Sequence, residues 1–84
     1  MNKTKNLGKQ IVVIDNGFVN VGDCSLVGDM VRIDGCRNLR VWGTSNGLGE
    51  LRSGPLEETN SDDCGVVLVP FRRVVFFMAA GGGW

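Results

Sequence analysis

Histidine and tyrosine are absent from this 84-residue chain, and proline occurs only twice. Without histidine the commonest general base and metal ligand is missing, and without tyrosine one frequent general acid goes too. The three cysteines, Cys24, Cys36 and Cys64, are widely spaced, with none of the close pairing that zinc sites use. Their odd count argues against a disulfide framework. Lys3, Lys5 and Lys9 precede an apolar run of only Ile11 to Ile14, too short for the core of a secretory leader. We therefore expect no enzyme, no metal and no cofactor, with the cysteines as buried free thiols in a reducing cytoplasm. The longest apolar stretch, Val66 to Ala80, is broken by Pro70, Arg72 and Arg73 and is not expected to span a bilayer. Nine basic residues balance nine acidic ones, which excludes the basic surplus of a general nucleic-acid binder.

What is present is glycine, at thirteen positions, with valine throughout. That combination predicts short strands joined by tight turns, in a mainly β fold: a small antiparallel sheet or barrel-like structure with one short helix. Residues 1–9 read as a flexible basic lead, residues 10–80 as a single β-rich domain and residues 81–84 as a flexible glycine-rich tail ending in an aromatic. Gln10 to Asp15 forms a first strand, and Asn16-Gly17 is the dipeptide of a type I′ turn that returns Phe18 to Val21 antiparallel. Met30 to Asp34 and Asn38 to Trp42 each alternate, which predicts two strands with Gly35 as the turn between them. Pairing Val31, Ile33, Leu39 and Val41 on the core face then puts Arg32, Arg40 and Trp42 together on the other.

After Trp42 the alternation stops. Thr44 or Ser45 suits an N-cap, Leu48 and Leu51 share a face, and Gly54-Pro55 ends the run, so a short helix is expected over 46–53. Leu56 to Asp63 reads as an acidic loop. Two closing strands follow, Gly65 to Val69 and Arg73 to Met78. In the second, Val74 to Phe77 is continuously apolar, as a strand covered on both faces would be. A domain this small buries a limited core, so that strand is also the expected subunit interface of a homo-oligomer.

The segment with most chemistry is Arg40 to Gly47. A guanidinium suits phosphate, an indole offers a stacking face, and Thr44, Ser45, Asn46 and Gly47 supply orienting bonds next to a helix start with free N–H groups. With Arg32 on the same face, these residues are the candidate ligand site for a phosphorylated nucleotide. The bland alternative has Trp42 packed, Thr44 and Ser45 capping, and Arg40 paired with Glu50.

Arg40, Trp42, Gly43, Thr44, Ser45, Gly47, Leu48, Gly49, Leu51, Gly54 and Pro55 form an Arg-x-Trp-Gly-Thr-Ser/Thr-x-Gly-Leu-Gly-x-Leu run followed closely by Gly-Pro. In this the chain resembles a group of small uncharacterised proteins encoded by phages and prophages, with weaker similarity from about Ile11 to Met78. The resemblance implies a viral setting in the bacterial host cytoplasm, a small β fold and a homo-oligomer. Two functions fit that setting. One is an anti-defence sponge, sequestering a cyclic nucleotide or other nucleotide-derived immune signal without chemistry. The other is an inhibitor of a host defence factor through protein contact, or a minor phage structural protein.

Overall fold

The computed structural model describes residues 4–45 and 47–84. Five strands, β1 (Thr4–Ile14), β2 (Val19–Val27), β3 (Met30–Val41), β4 (Asn60–Pro70) and β5 (Val74–Ala79), form one antiparallel sheet in the order β4-β3-β2-β1-β5. The mainly β expectation holds. In place of a helix over 46–53 there is one 3-10 turn, Leu48–Leu51, and a second, Phe71–Arg73, joins β4 to β5.

That second turn dictates the curvature of the sheet. β4 and β5 occupy opposite edges. A flat sheet of five strands would separate its edges by about 19 Å at ~4.8 Å per strand. Three residues reach only about 10 Å, so the sheet curls until its edges approach at that end. Phe71 N–H bonds to Asp29 C=O, and Asp15 N–H to Arg73 C=O, each at 2.9 Å, tying the turn to the sheet on both sides.

Curling makes an inner and an outer face, and each has its own core. Val12, Cys24, Val31, Ile33, Cys36 and Val69 pack inside, with Val74 and Phe77 of β5 against them. On the outer face Ile11, Val19, Val21 and Leu39 pack under Leu51, with Leu48, Met78, Ala80 and Trp84 alongside. Neighbours such as Ile11 and Val12 serve different cores because successive strand residues point to opposite faces. The crossover between β3 and β4 and the C-terminal tail are thus the lid of the outer core.

Several expectations change in detail. The Asn16-Gly17 hairpin forms, with Gly17 N–H bonded to Ile14 C=O and Ile14 N–H to Phe18 C=O, both at 2.9 Å. Only Gly17 takes a positive φ there, however, so the connection is a three-residue loop closed by a left-handed glycine and not a type I′ turn. Residues 4–9, expected to be a loose lead, extend β1 and pair with β2 as far as Val27. Residues 60–63, expected in a loop, are strand and pair with β3.

The largest correction concerns Gly35. Met30 to Val41 is one strand, with Gly35 in a β-bulge instead of a turn. Val21 pairs with Arg37 and Asp23 with Asp34, so two β3 residues, Gly35 and Cys36, face the single Gly22 of β2. The extra residue reverses which face later side chains take, and Val31, Ile33 and Cys36 accordingly share the inner core while Leu39 lies in the outer one. Both neighbours accept the bulge because β2 offers no side chain there: a Cβ on Gly22 would come 2.7 Å from the Asp34 oxygen and 2.7 Å from Ile33 Cγ2.

The tail is also placed differently from the expected loose end. Gly83 N–H bonds to Ser53 C=O at 3.0 Å, Gly81 N–H bonds to Arg52 C=O, and Trp84 Nε1 donates to Leu51 C=O at 2.6 Å. Cys24 and Cys36 are buried as expected, but Cys64 is exposed. Among the described residues no helix is long and apolar enough to cross a membrane.

Candidate functional site

The bulge separates residues that the hairpin expectation united. Arg32 and Arg40 lie eight positions apart on one strand, roughly 26 Å at ~3.3 Å per residue, and the reversal at Gly35 sends them to opposite faces. Arg32 pairs with Asp34 at 3.1 Å near the far end of β3. It has no part in a site with Arg40.

Arg40 stands at the exit of β3, where the register with β4 shifts. Its guanidinium donates to both oxygens of Asp62, Nε at 3.0 Å and the second nitrogen at 3.2 Å. This two-pronged geometry is the one a phosphate would use. The position is thus already filled by a carboxylate, supplied by the strand that was expected to be an acidic loop.

Trp42 follows as the chain leaves the sheet and is 40% exposed, so its indole is neither a core residue nor enclosed. Its carbonyl accepts from Thr59 Oγ1 at 2.6 Å, which pins the two ends of the crossover together. Gly43 is required there: with φ +70, it lies so close to Glu58 that a Cβ would meet the Glu58 carbonyl carbon at 2.5 Å. Among the described residues Thr44 makes no hydrogen bond to the turn, and Ser45 uses its backbone N–H, donating to Glu50 Oε2 at 2.7 Å. The expected caps are replaced by Gly47 with φ 125 and no side-chain cap. A four-residue 3-10 turn also provides little of the aligned dipole that makes a helix start attractive to anions. Asn46 lies outside the described residues.

The crossover therefore gathers Arg40, Trp42, Thr44, Ser45 and Gly47 along one stretch, but it brings carboxylates with them. Asp62 binds Arg40, and Glu50 binds the Ser45 N–H. Where the sequence offered an Arg40–Glu50 pairing, Arg40 bonds to Asp62 and Glu50 accepts from the Ser45 N–H.

A different group assembles on the outer face. Lys9, Asp23, Arg37 and Trp84 line a cavity of about 280 Å³ beside the bulge, with Gly22 and Gly35 also in its wall. Sequence reading missed it because its parts come from β1, β2, β3 and the tail. The alternation of Lys9, Ile11 and Val13 on β1 is the signal that could have placed Lys9 on the outer face. Nothing in the sequence announces that Trp84 returns to meet it.

Comparison with protein-family models, curated proteins and solved structures gives no match.

Proposed function

We propose that the protein acts by binding, without chemistry, through protein–protein contacts made along its two edge strands, first of all with further copies of itself. The observation that supports this reading is the apolar surface at those edges. Val66 and Leu68 of β4 are 55% and 58% exposed, and Val75 and Phe76 of β5 are 59% and 46% exposed. β4 and β5 each have a sheet neighbour on one side only. Exposed edges of this kind are normally blunted by charge or proline or used for pairing. In the phage setting implied by the Arg40–Pro55 run, such an assembly would block or join a host or viral macromolecule.

The test is sedimentation of the wild type against Val66→Lys/Leu68→Lys and Phe76→Lys. The expected result is a wild-type assembly larger than the 9.1 kDa chain and dissociated variants that keep a β-type circular dichroism spectrum. A wild type that remains a monomer over the whole concentration range overturns self-association.

A second reading is sequestration of a nucleotide-derived signal between subunits, and the observation in its favour is the partly exposed Trp42 indole two residues along the chain from Arg40. Calorimetric titration with cyclic dinucleotides, cyclic oligonucleotides and adenosine-diphosphate-ribose derivatives tests it. Binding that Arg40→Ala and Trp42→Ala each weaken by about tenfold or more supports it. No binding to any of them removes it.

A further inference from the structure

We infer that the cavity where the β2–β3 turn meets the link from β4 to β5, lined by Asp29, Met30, Pro70, Phe71 and Arg72, is a binding site for a free α-amino acid with an apolar side chain. The site is separate from Arg40–Trp42 and does not rest on the assembly reading.

Two tight connections build it. Val27 pairs with Met30, which leaves Gly28 and Asp29 as a two-residue turn, and of the two only Gly28 takes a positive φ, at 61. Glycine at the first central position is what that kind of hairpin turn requires. Met30 pairs in turn with Pro70, and the 3-10 turn begins at the next residue. The bond from Phe71 N–H to Asp29 C=O, at 2.9 Å, locks the two connections together. The Phe71 ring stacks on Phe77, which packs against the inner core, with centroids 6.4 Å and planes 28° apart, yet Phe71 stays 50% exposed. Met30, Pro70 and Phe71 thus form a fixed apolar wall that is open to a ligand.

The charges on that wall define the ligand. Arg32, Arg40 and Arg73 each grip a carboxylate, Arg37 bonds to Ser61, and Arg52 to the Gly49 C=O. Arg72 differs: among the described residues neither its guanidinium nor the Asp29 carboxylate makes a hydrogen bond or an ion pair. One cation and one anion therefore line an apolar cavity without meeting each other. An α-amino acid carries the matching pair. Its carboxylate takes a two-pronged bond from the guanidinium, its ammonium donates to Asp29, and its side chain lies on Phe71. A bare anion is opposed by Asp29, and a bare cation by Arg72. The volume, about 290 Å³, sits at the small end for organic ligands. A peptide segment fits less well, because the interior of a peptide main chain carries neither charge. The Phe71 N–H and Asp29 C=O that could pair with such a chain are also already bonded to each other.

The experiment is titration of the full chain with leucine, N-acetyl-leucine, leucinamide and N-acetyl-leucinamide, read by calorimetry and by the amide resonances of Asp29, Met30, Phe71 and Arg72. Saturable leucine binding is expected, with the resonance shifts centred on those residues. Acetylation removes the ammonium and amidation removes the carboxylate. Each should weaken binding about fivefold or more, as loss of a charge-assisted bond does after solvent screening. The penalty for acetylation should vanish in Asp29→Asn and the penalty for amidation in Arg72→Gln, while Arg52→Gln keeps both. Such one-to-one pairing of a ligand group with a side chain is not imitated by a loss of fold. Absence of leucine binding, or penalties that persist in both folded variants, overturns the site. N-acetyl-leucinamide binding as tightly as leucine also overturns it, in favour of a peptide segment. Assembly mass is measured separately, so a monomer that binds leucine defeats only the edge-strand reading, and an assembly that does not bind it defeats only the site.

Discussion

Arg40 and Asp62 form a two-pronged ion pair across β3 and β4, at 3.0 and 3.2 Å, on side chains that are more than half exposed. Solvent screening leaves such a pair worth no more than about 1 kcal/mol. Asp62→Ala should therefore lower stability by less than about 1 kcal/mol in urea denaturation. Its larger effect is on binding. If the guanidinium serves a phosphate ligand at the crossover, Asp62→Ala should tighten that ligand by removing a competitor; if affinity is unmoved, Arg40 is only a tie between strands.

Gly22 and the bulge at Gly35–Cys36 give a second prediction. A Cβ at Gly22 would meet the Asp34 oxygen and Ile33 Cγ2, both at 2.7 Å, with the Cys36 Cα at 3.2 Å behind them. Two of these three atoms are backbone. Gly22→Ala should cost about 1–3 kcal/mol, the range for forcing a methyl into a packed interior. Gly49→Ala, where nothing lies within 4 Å, should stay within about 0.5 kcal/mol. Chemical denaturation of the two variants side by side decides the matter, and equal effects would mean the bulge is not tightly packed.

The same bulge explains how far the sequence could be read. Alternation in Met30 to Asp34 and again in Asn38 to Trp42 correctly marks extended chain, and Asn16-Gly17 correctly marks a reversal. Periodicity does not say whether a glycine between two alternating runs turns the chain or bulges it. Here a left-handed Gly35, at φ 58, does the second because Gly22 on the neighbouring strand leaves room for the extra residue. That partner is not local in sequence. The candidate site suffered most, since the union of Arg32 with Arg40 depended on the turn. Val74 to Phe77 was apolar on both faces for a legible reason, but in one chain only Val74 and Phe77 reach the inner core, while Val75 and Phe76 are exposed. The cavity at Lys9 and Arg37 needs three strands and a tail in register, information that no single segment holds.

The thiols make a pH prediction. Burial raises the Cys24 pKa to about 11 and that of Cys36 to about 12, with smaller contributions from nearby negative charge. Both folded values exceed the ordinary 9.0. The unfolded chain therefore ionises first, and the stability these thiols contribute is complete below pH 9 and declines as pH rises toward 11 to 12. Urea midpoints should fall over that window, and less steeply in Cys24→Ala compared with its own value at pH 8. At pH 8 a thiol reagent should label one cysteine of the folded protein rapidly, the exposed Cys64, and the other two only on unfolding. Rapid labelling of all three would mean the inner core opens readily.

The last prediction concerns the glycines of the tail. Gly83 lies against Ser53 and Gly54 so closely that a Cβ would meet the Ser53 carbonyl oxygen and come 2.7 Å from the Gly54 Cα, all of it backbone. Gly82, one residue earlier, has nothing within 4 Å. The two glycines look equivalent in sequence, yet only Gly83 must be glycine for the tail to dock. Gly83→Ala should push the tail away, breaking the Gly83 N–H to Ser53 bond and the Trp84 Nε1 bond to Leu51 C=O. Leu51, fully buried in the outer core, would then lose part of its cover. We expect faster amide exchange over residues 49–54, a red-shifted Trp84 emission in a Trp42→Phe background, and a stability loss of about 1–2 kcal/mol. Gly82→Ala should change none of these. If Gly83→Ala leaves exchange and emission as they were, the tail does not clasp the crossover in solution, and the wall that Trp84 provides to the Lys9–Arg37 cavity goes with it.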